Sequence, residues 1–126
     1  MPTMTTGGRG VALAFAVSGT LHLVQPRLFE PLIPPALGRP RPWVVGSGVL
    51  ELVCAAGLVR GSRWAPAATA ATLVAVWPGN GWYAVRVQRS TRAHPVHKAA
   101  AWARLPLQVP MIAAALHPWR QDVTPA

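Results

Sequence analysis

A chain of 126 residues is one domain, and only 12% of it is charged against 52% apolar, where soluble domains carry about 25% charge. Its formal charge of +9 does not describe a nucleic-acid surface: Arg27, Arg39, Arg41, Arg60, Arg63, Arg86, Arg89, Arg92 and Lys98 cluster in or beside the joints between apolar runs, as juxtamembrane bases do. One cysteine, Cys54, excludes an intrachain disulfide or a multi-cysteine metal site.

Residues 1–10 are polar and Gly-rich and read as a disordered arm. Residues 11–24 form the first apolar run, stopped by Gln25-Pro26. Arg9 followed by this run matches the start of a signal peptide, but no small-x-small site leading into a polar chain follows. An uncleaved first helix is therefore expected. Residues 27–42 hold Pro31, Pro34, Pro35, Pro40 and Pro42, a density that favours an extended loop over a helix. Its Leu28-Phe29 and Leu32-Ile33 pairs suit a segment that caps the bundle or rests on a bilayer surface; a plain connector is the alternative.

The second run, residues 43–59, carries Glu51 near its centre. A central charge in a membrane helix costs about 2.5–3.5 kcal/mol on insertion scales and normally faces a partner or a cavity. Arg60-Gly61-Ser62-Arg63 is a tight turn. The third helix runs from Trp64 towards Val87, with a break expected near Trp77-Pro-Gly-Asn-Gly-Trp82. The fourth runs from Ala99 to Leu116 across Pro106 and Pro110, and residues 118–126 form a polar tail. The reading is all-α: a four-transmembrane-helix antiparallel bundle over residues 11–117 with both termini on one side. Trp43 and Trp102 then meet one interface, Trp64 and Trp119 the other. The first and third connections hold seven Lys/Arg against four on the other side, so the positive-inside rule puts them in the cytoplasm.

Each run also carries polar residues at helical spacing. Ser18, His22 and Gln25 share one face, as do Ser47, Glu51 and Cys54. Measured from the ends that meet the longer connections, His22 lies about 5 Å in, Arg104 about 9 Å, Glu51 and Asn80 about 12 Å, and Gln108 about 15 Å. The agreement of these depths predicts a polar pocket made by His22, Glu51, Asn80, Arg104 and Gln108. Glu51 and Arg104 are the expected ion pair, with His22 as a proton carrier; a purely structural clasp is the alternative. No catalytic residue is assigned, and whether the chain is an enzyme stays open. No metal site is expected: Pro95 separates His94 from His97, and His22 and His117 belong near opposite faces.

The succession Gly19-x-x-His22, Pro26, Pro34-Pro35, Ser47-Gly-x-x-Glu51, Pro78-Gly-Asn80 and Arg104-Leu-Pro-Leu-Gln108 resembles the DoxX family of small bacterial four-helix membrane proteins. The resemblance spans roughly residues 11–116. It implies a multi-pass protein of the bacterial cell membrane and a redox-associated subunit, since the family takes its name from a subunit of a thiosulfate:quinone oxidoreductase. A quinone or other small lipophile is then the expected occupant of the pocket. Cys54 departs from relatives with cysteine chemistry, because it has no partner. A non-catalytic accessory subunit of a membrane complex is the alternative. The expected partners are the lipid bilayer, other membrane or redox subunits and a second copy of the chain, with no nucleic acid.

Overall fold

The computed structural model describes residues 3–120. Four long α-helices follow one another: α1 Thr6–Val24, α2 Pro40–Arg60, α3 Ala65–Arg89 and α4 Pro95–Leu116. Three 3-10 turns, Pro26–Leu28, Glu30–Leu32 and Pro35–Leu37, link α1 to α2. The protein is all-α, and the one extended contact among the described residues is an isolated bridge between Met4 and Trp119.

Each boundary has a local cause. Thr5 caps α1, its Oγ1 accepting from the Gly8 N–H at 2.9 Å. Proline at the first helical position opens α2 (Pro40) and α4 (Pro95), where the missing N–H would have no partner. The C-terminus of α2 is a Schellman turn. Gly61 takes φ 73°, its N–H bonds to Leu58 O at 3.2 Å, and the Ser62 N–H bonds to Gly57 O at 2.9 Å. This closes the α2–α3 hairpin.

Three sequence expectations need correcting. Residues 3–10 do not form an arm: α1 already begins at Thr6. The Thr5 N–H bonds to Pro118 O at 2.8 Å and the Arg120 N–H to Thr3 O at 2.8 Å, so the arm and the start of the tail hold one another. Met1, Pro2 and residues 121–126 of those two segments lie outside the described residues. The partner of Thr5 is 113 residues away, and local composition cannot show it.

The second correction concerns the prolines. α3 runs unbroken through Pro78, and α4 through Pro106 and Pro110. Each proline removes one rung of the i to i−4 ladder, but a helix held by its neighbours on either side tolerates a missing rung. Third, the proline-rich stretch is not an extended loop: Pro31 and Pro35 lie in the opening positions of 3-10 turns, and Pro40 and Pro42 in the first turn of α2.

In cyclic order α1 packs on α2, α2 on α3, α3 on α4 and α4 on α1, leaving α2 and α4 diagonal. Consecutive helices are antiparallel, as their meeting points record. Gly19 faces Gly48, Gly57 meets Trp64 and Ala65, and Gly7 meets Ala114. One apolar cluster (Val11, Phe15, Cys54, Leu58, Leu73, Ala115) fills the end near the termini. A smaller one (Ala84, Val87, Ala101) joins α3 to α4 at the other end. Between them along α3 and α4 lies the polar level of Asn80 and Gln108.

The α1–α2 contact admits no side chain. A Cβ on Gly48 would stand 2.6 Å from the His22 Cβ and 3.0 Å from Gly19 O. Gly48→Val should therefore lower stability by about 1–3 kcal/mol through overpacking. Gly46→Ala, where nothing lies within 4 Å, should raise it by about 0.5–1 kcal/mol through helix propensity. Melting curves of the two variants against the parent check both signs.

Candidate functional site

All five residues singled out from the sequence, His22, Glu51, Asn80, Arg104 and Gln108, line one cavity of about 440 Å³. They come from all four helices. His22 projects from α1, Glu51 from α2, Asn80 from α3, and Arg104 and Gln108 from α4. The antiparallel packing turns the faces that carry them to one space. Phe15, Val44, Leu73, Val76, Leu107 and Met111 supply its apolar wall. The volume falls within the range of small-molecule sites, which are mostly apolar with a few polar groups.

The charge partner of Glu51 is not Arg104. Glu51 Oε2 lies 3.6 Å from His22 Nδ1, and the ion pairs among the described residues include none with Arg104. Packing gives the reason: the glycine contact draws α2 against α1 within one turn of both residues, while α4 is diagonal to α2. Arg104 lines the cavity from the opposite wall with an exposed side chain.

His22 is held in one orientation. Its Nδ1 stands 2.6 Å from the Ser18 carbonyl oxygen. A carbonyl only accepts, so Nδ1 carries the hydrogen and Nε2 is left to exchange a proton or accept one. Ser18 Oγ sits 3.3 Å from the same nitrogen. The ring face is covered by Phe29, whose centroid lies 3.7 Å away at an interplanar angle of 17°. Phe29 is a site residue that sequence reasoning missed as such; the only signal was a loop with paired apolar residues.

That loop is the roof of the cavity, lined by Phe29, Leu32, Ile33, Pro34 and Leu37. Arg41 clamps it, donating through Nε to Glu30 Oε1 at 2.9 Å, and Trp43 Nε1 donates to Leu37 O at 3.0 Å. Gly79 lies against this roof: a Cβ there would stand 3.3 Å from Leu32 O. The glycine lets the roof sit close on α3 rather than breaking the helix.

Two cavity-lining residues bury acceptors without partners, Glu51 Oε2 and Gln108 Oε1. Each such atom costs on the order of 1–3 kcal/mol, a cost that an inert core would shed. Two other histidines have partners of their own. His94 caps α4, its Nδ1 accepting from the Val96 N–H at 3.1 Å, and His97 Nε2 pairs with the Tyr83 hydroxyl at 2.8 Å. Cys54 is buried with Sγ 3.8 Å from Thr72 Oγ1.

The new pairing makes a measurable statement. A double-mutant cycle of His22→Ala with Glu51→Gln should give a coupling of about 0.5–3 kcal/mol, as contacting residues do. The Arg104→Ala and Glu51→Gln cycle should give a distinctly smaller one. A larger coupling to Arg104 than to His22 would reverse the assignment.

No curated protein and no solved structure matches the chain. A family described as "Domain of unknown function (DUF8561)" matches residues 11–118, which takes in all four helices except the first turn of α1 and every residue of the cavity, and the chain belongs to that family.

Proposed function

We propose that the protein is a multi-pass membrane protein whose four α-helices all cross the bilayer, and that its central cavity takes a small lipophilic molecule with a polar head, of the quinone type. The observation that carries this reading is an inverted polarity. His22, Glu51, Thr69, Thr72, Asn80 and Gln108 are buried, while Leu13, Val17 and Val24 of α1, Val49 and Val53 of α2, Val74 and Val85 of α3, and Leu107 and Val109 of α4 are exposed. Leu13 is 66% exposed and Val24 70%. Monomeric soluble proteins rarely expose apolar patches so extensive.

α2 and α4 are each long and apolar enough to cross a membrane, with mean hydropathies of 1.7 and 1.2 over their best windows. α1 and α3, at 19 and 25 residues, have comparable length, about 28 and 37 Å. Neither carries Asp, Glu, Lys or Arg between Arg9 and Arg27 or between Arg63 and Arg86. The indoles of Trp43 and Trp64 are half-exposed at the N-terminal ends of α2 and α3, where amphipathic rings meet headgroups.

The donor set suits an oxygen-bearing head group. The amides of Asn80 and Gln108 and the guanidinium of Arg104 would hold its oxygens, and the apolar wall would hold its ring. A quinone supplies two-electron, two-proton chemistry when bound. Glu51 and His22 are the chain's own proton-bearing groups beside that position, with the Ser18 carbonyl fixing which imidazole nitrogen is free. The succession from Gly19 to Gln108 that resembles DoxX points the same way, to a redox-associated membrane subunit. An accessory subunit that only stabilises a partner complex is the second reading, favoured by the His22 ring, which Ser18 and Phe29 hold in place without a ligand.

Two measurements test the proposal. The chain should stay in membranes after alkaline carbonate and leave them only in detergent; release by carbonate would overturn the membrane reading. In detergent, Asn80→Leu should weaken retention of a short-chain naphthoquinone about 5- to 100-fold, the loss of one buried hydrogen bond, with little change in melting temperature. A variant that melts early yet keeps the quinone would leave the cavity as a structural feature only.

A further inference from the structure

A second hollow lies on the outside of the bundle, in the groove between α1 and α2, and shares no residue with the central cavity. Its floor and walls are Ala12, Leu13, Ala16, Leu52, Ala55, Ala56 and Val59, and Arg9 and Arg60 stand at its end with Met4. We propose that this groove is a binding site for an anionic phospholipid, one acyl chain lying along the alanines and the phosphate held between Arg9 and Arg60. The proposal rests on the membrane reading above.

Three features of the groove fit that occupant. It is outward-facing: Arg9, Leu13, Ala56, Val59 and Arg60 are all exposed. Alanine at 12, 16, 55 and 56 leaves room where leucine would fill it, and the tight Gly19–Gly48 contact that joins the two helices lies beyond its far end. Its length matches one leaflet. From Arg9 to Ala16 is about 10 Å along α1, and from Arg60 to Leu52 about 12 Å along α2, against about 15 Å for half the hydrocarbon core.

The charge is complementary as well. Arg9 begins α1 and Arg60 ends α2, so antiparallel packing brings both to one level at the rim. Among the described residues neither has a carboxylate partner, since the ion pairs there involve only His22, Glu51, Glu30 and Arg41. Two guanidiniums at the mouth of an apolar slot recognise a phosphate attached to a chain. A free phosphate would leave the slot empty, and an apolar partner helix in the slot would leave the two arginines without an anion.

The test uses the purified full chain in mild detergent, with native mass spectrometry of bound dioleoyl-phosphatidylglycerol against dioleoyl-phosphatidylcholine. The parent should prefer phosphatidylglycerol. That preference should fall roughly five-fold for Arg9→Gln or Arg60→Gln and about thirty-fold for both. Ala56→Trp should displace the lipid with both arginines intact. Arg63→Gln with Arg120→Gln, an equal loss of charge at the same end, should leave the preference in place. Equal retention of the two lipids overturns the proposal, as does an equal loss in the control pair. A dimer mass that Ala56→Trp abolishes would assign the groove to a second copy of the chain and overturn it too. Carbonate release tests the membrane reading separately, so a protein that stays in the membrane yet shows no lipid preference refutes the groove alone.

Discussion

The contact between Gly19 and Gly48 sets the geometry of the rest. With no side chain on either residue, the backbones of α1 and α2 approach until a Cβ on Gly19 would stand 2.8 Å from Gly48 O. Small residues at a helix–helix contact let the two backbones approach this closely. His22 and Glu51, one turn beyond the two glycines, are carried to 3.6 Å of each other by that approach. The same pairing leaves α4 across the bundle from α2, and the space between those diagonal helices is the cavity.

Inside that frame the polar groups are arranged unevenly. The α1–α2 side is tightly tied: the Ser18 carbonyl and hydroxyl fix the His22 ring, Phe29 covers it, and Glu51 stands against it. The α3–α4 side offers Asn80, Arg104 and Gln108, with Gln108 Oε1 unpartnered. A head group entering between the two sides would meet a fixed proton-bearing pair on one wall and adaptable hydrogen-bonding groups on the other. That division of labour follows from helix position, not from residue type.

The roof over the cavity links the outer charges to the inner site. Glu30 and Arg41 form an ion pair that ties the middle of the connection to the first turn of α2. Being half-exposed, it contributes little to stability by itself. Its value is geometric: it fixes Phe29 and the 3-10 turn from Glu30 to Leu32, which set the ring on His22 and the Leu32 carbonyl against Gly79.

The sequence by itself determined that the chain is all helical, where its four apolar runs lie, and which polar residues share a face of their helix. These are properties of spacing along one helix, and the helical period is enough to read them. The tertiary structure alone decided that Glu51 meets His22 rather than Arg104. Opposite charge made Arg104 the natural partner on paper, but partner choice depends on which helices are adjacent, and two glycines settle that. It also decided that Pro78, Pro106 and Pro110 sit in continuous helices, because flanking helices hold what local propensity would break. Thr5 found its partner at Pro118, and Phe29 its place on His22, for the same reason: both contacts close only when distant segments meet.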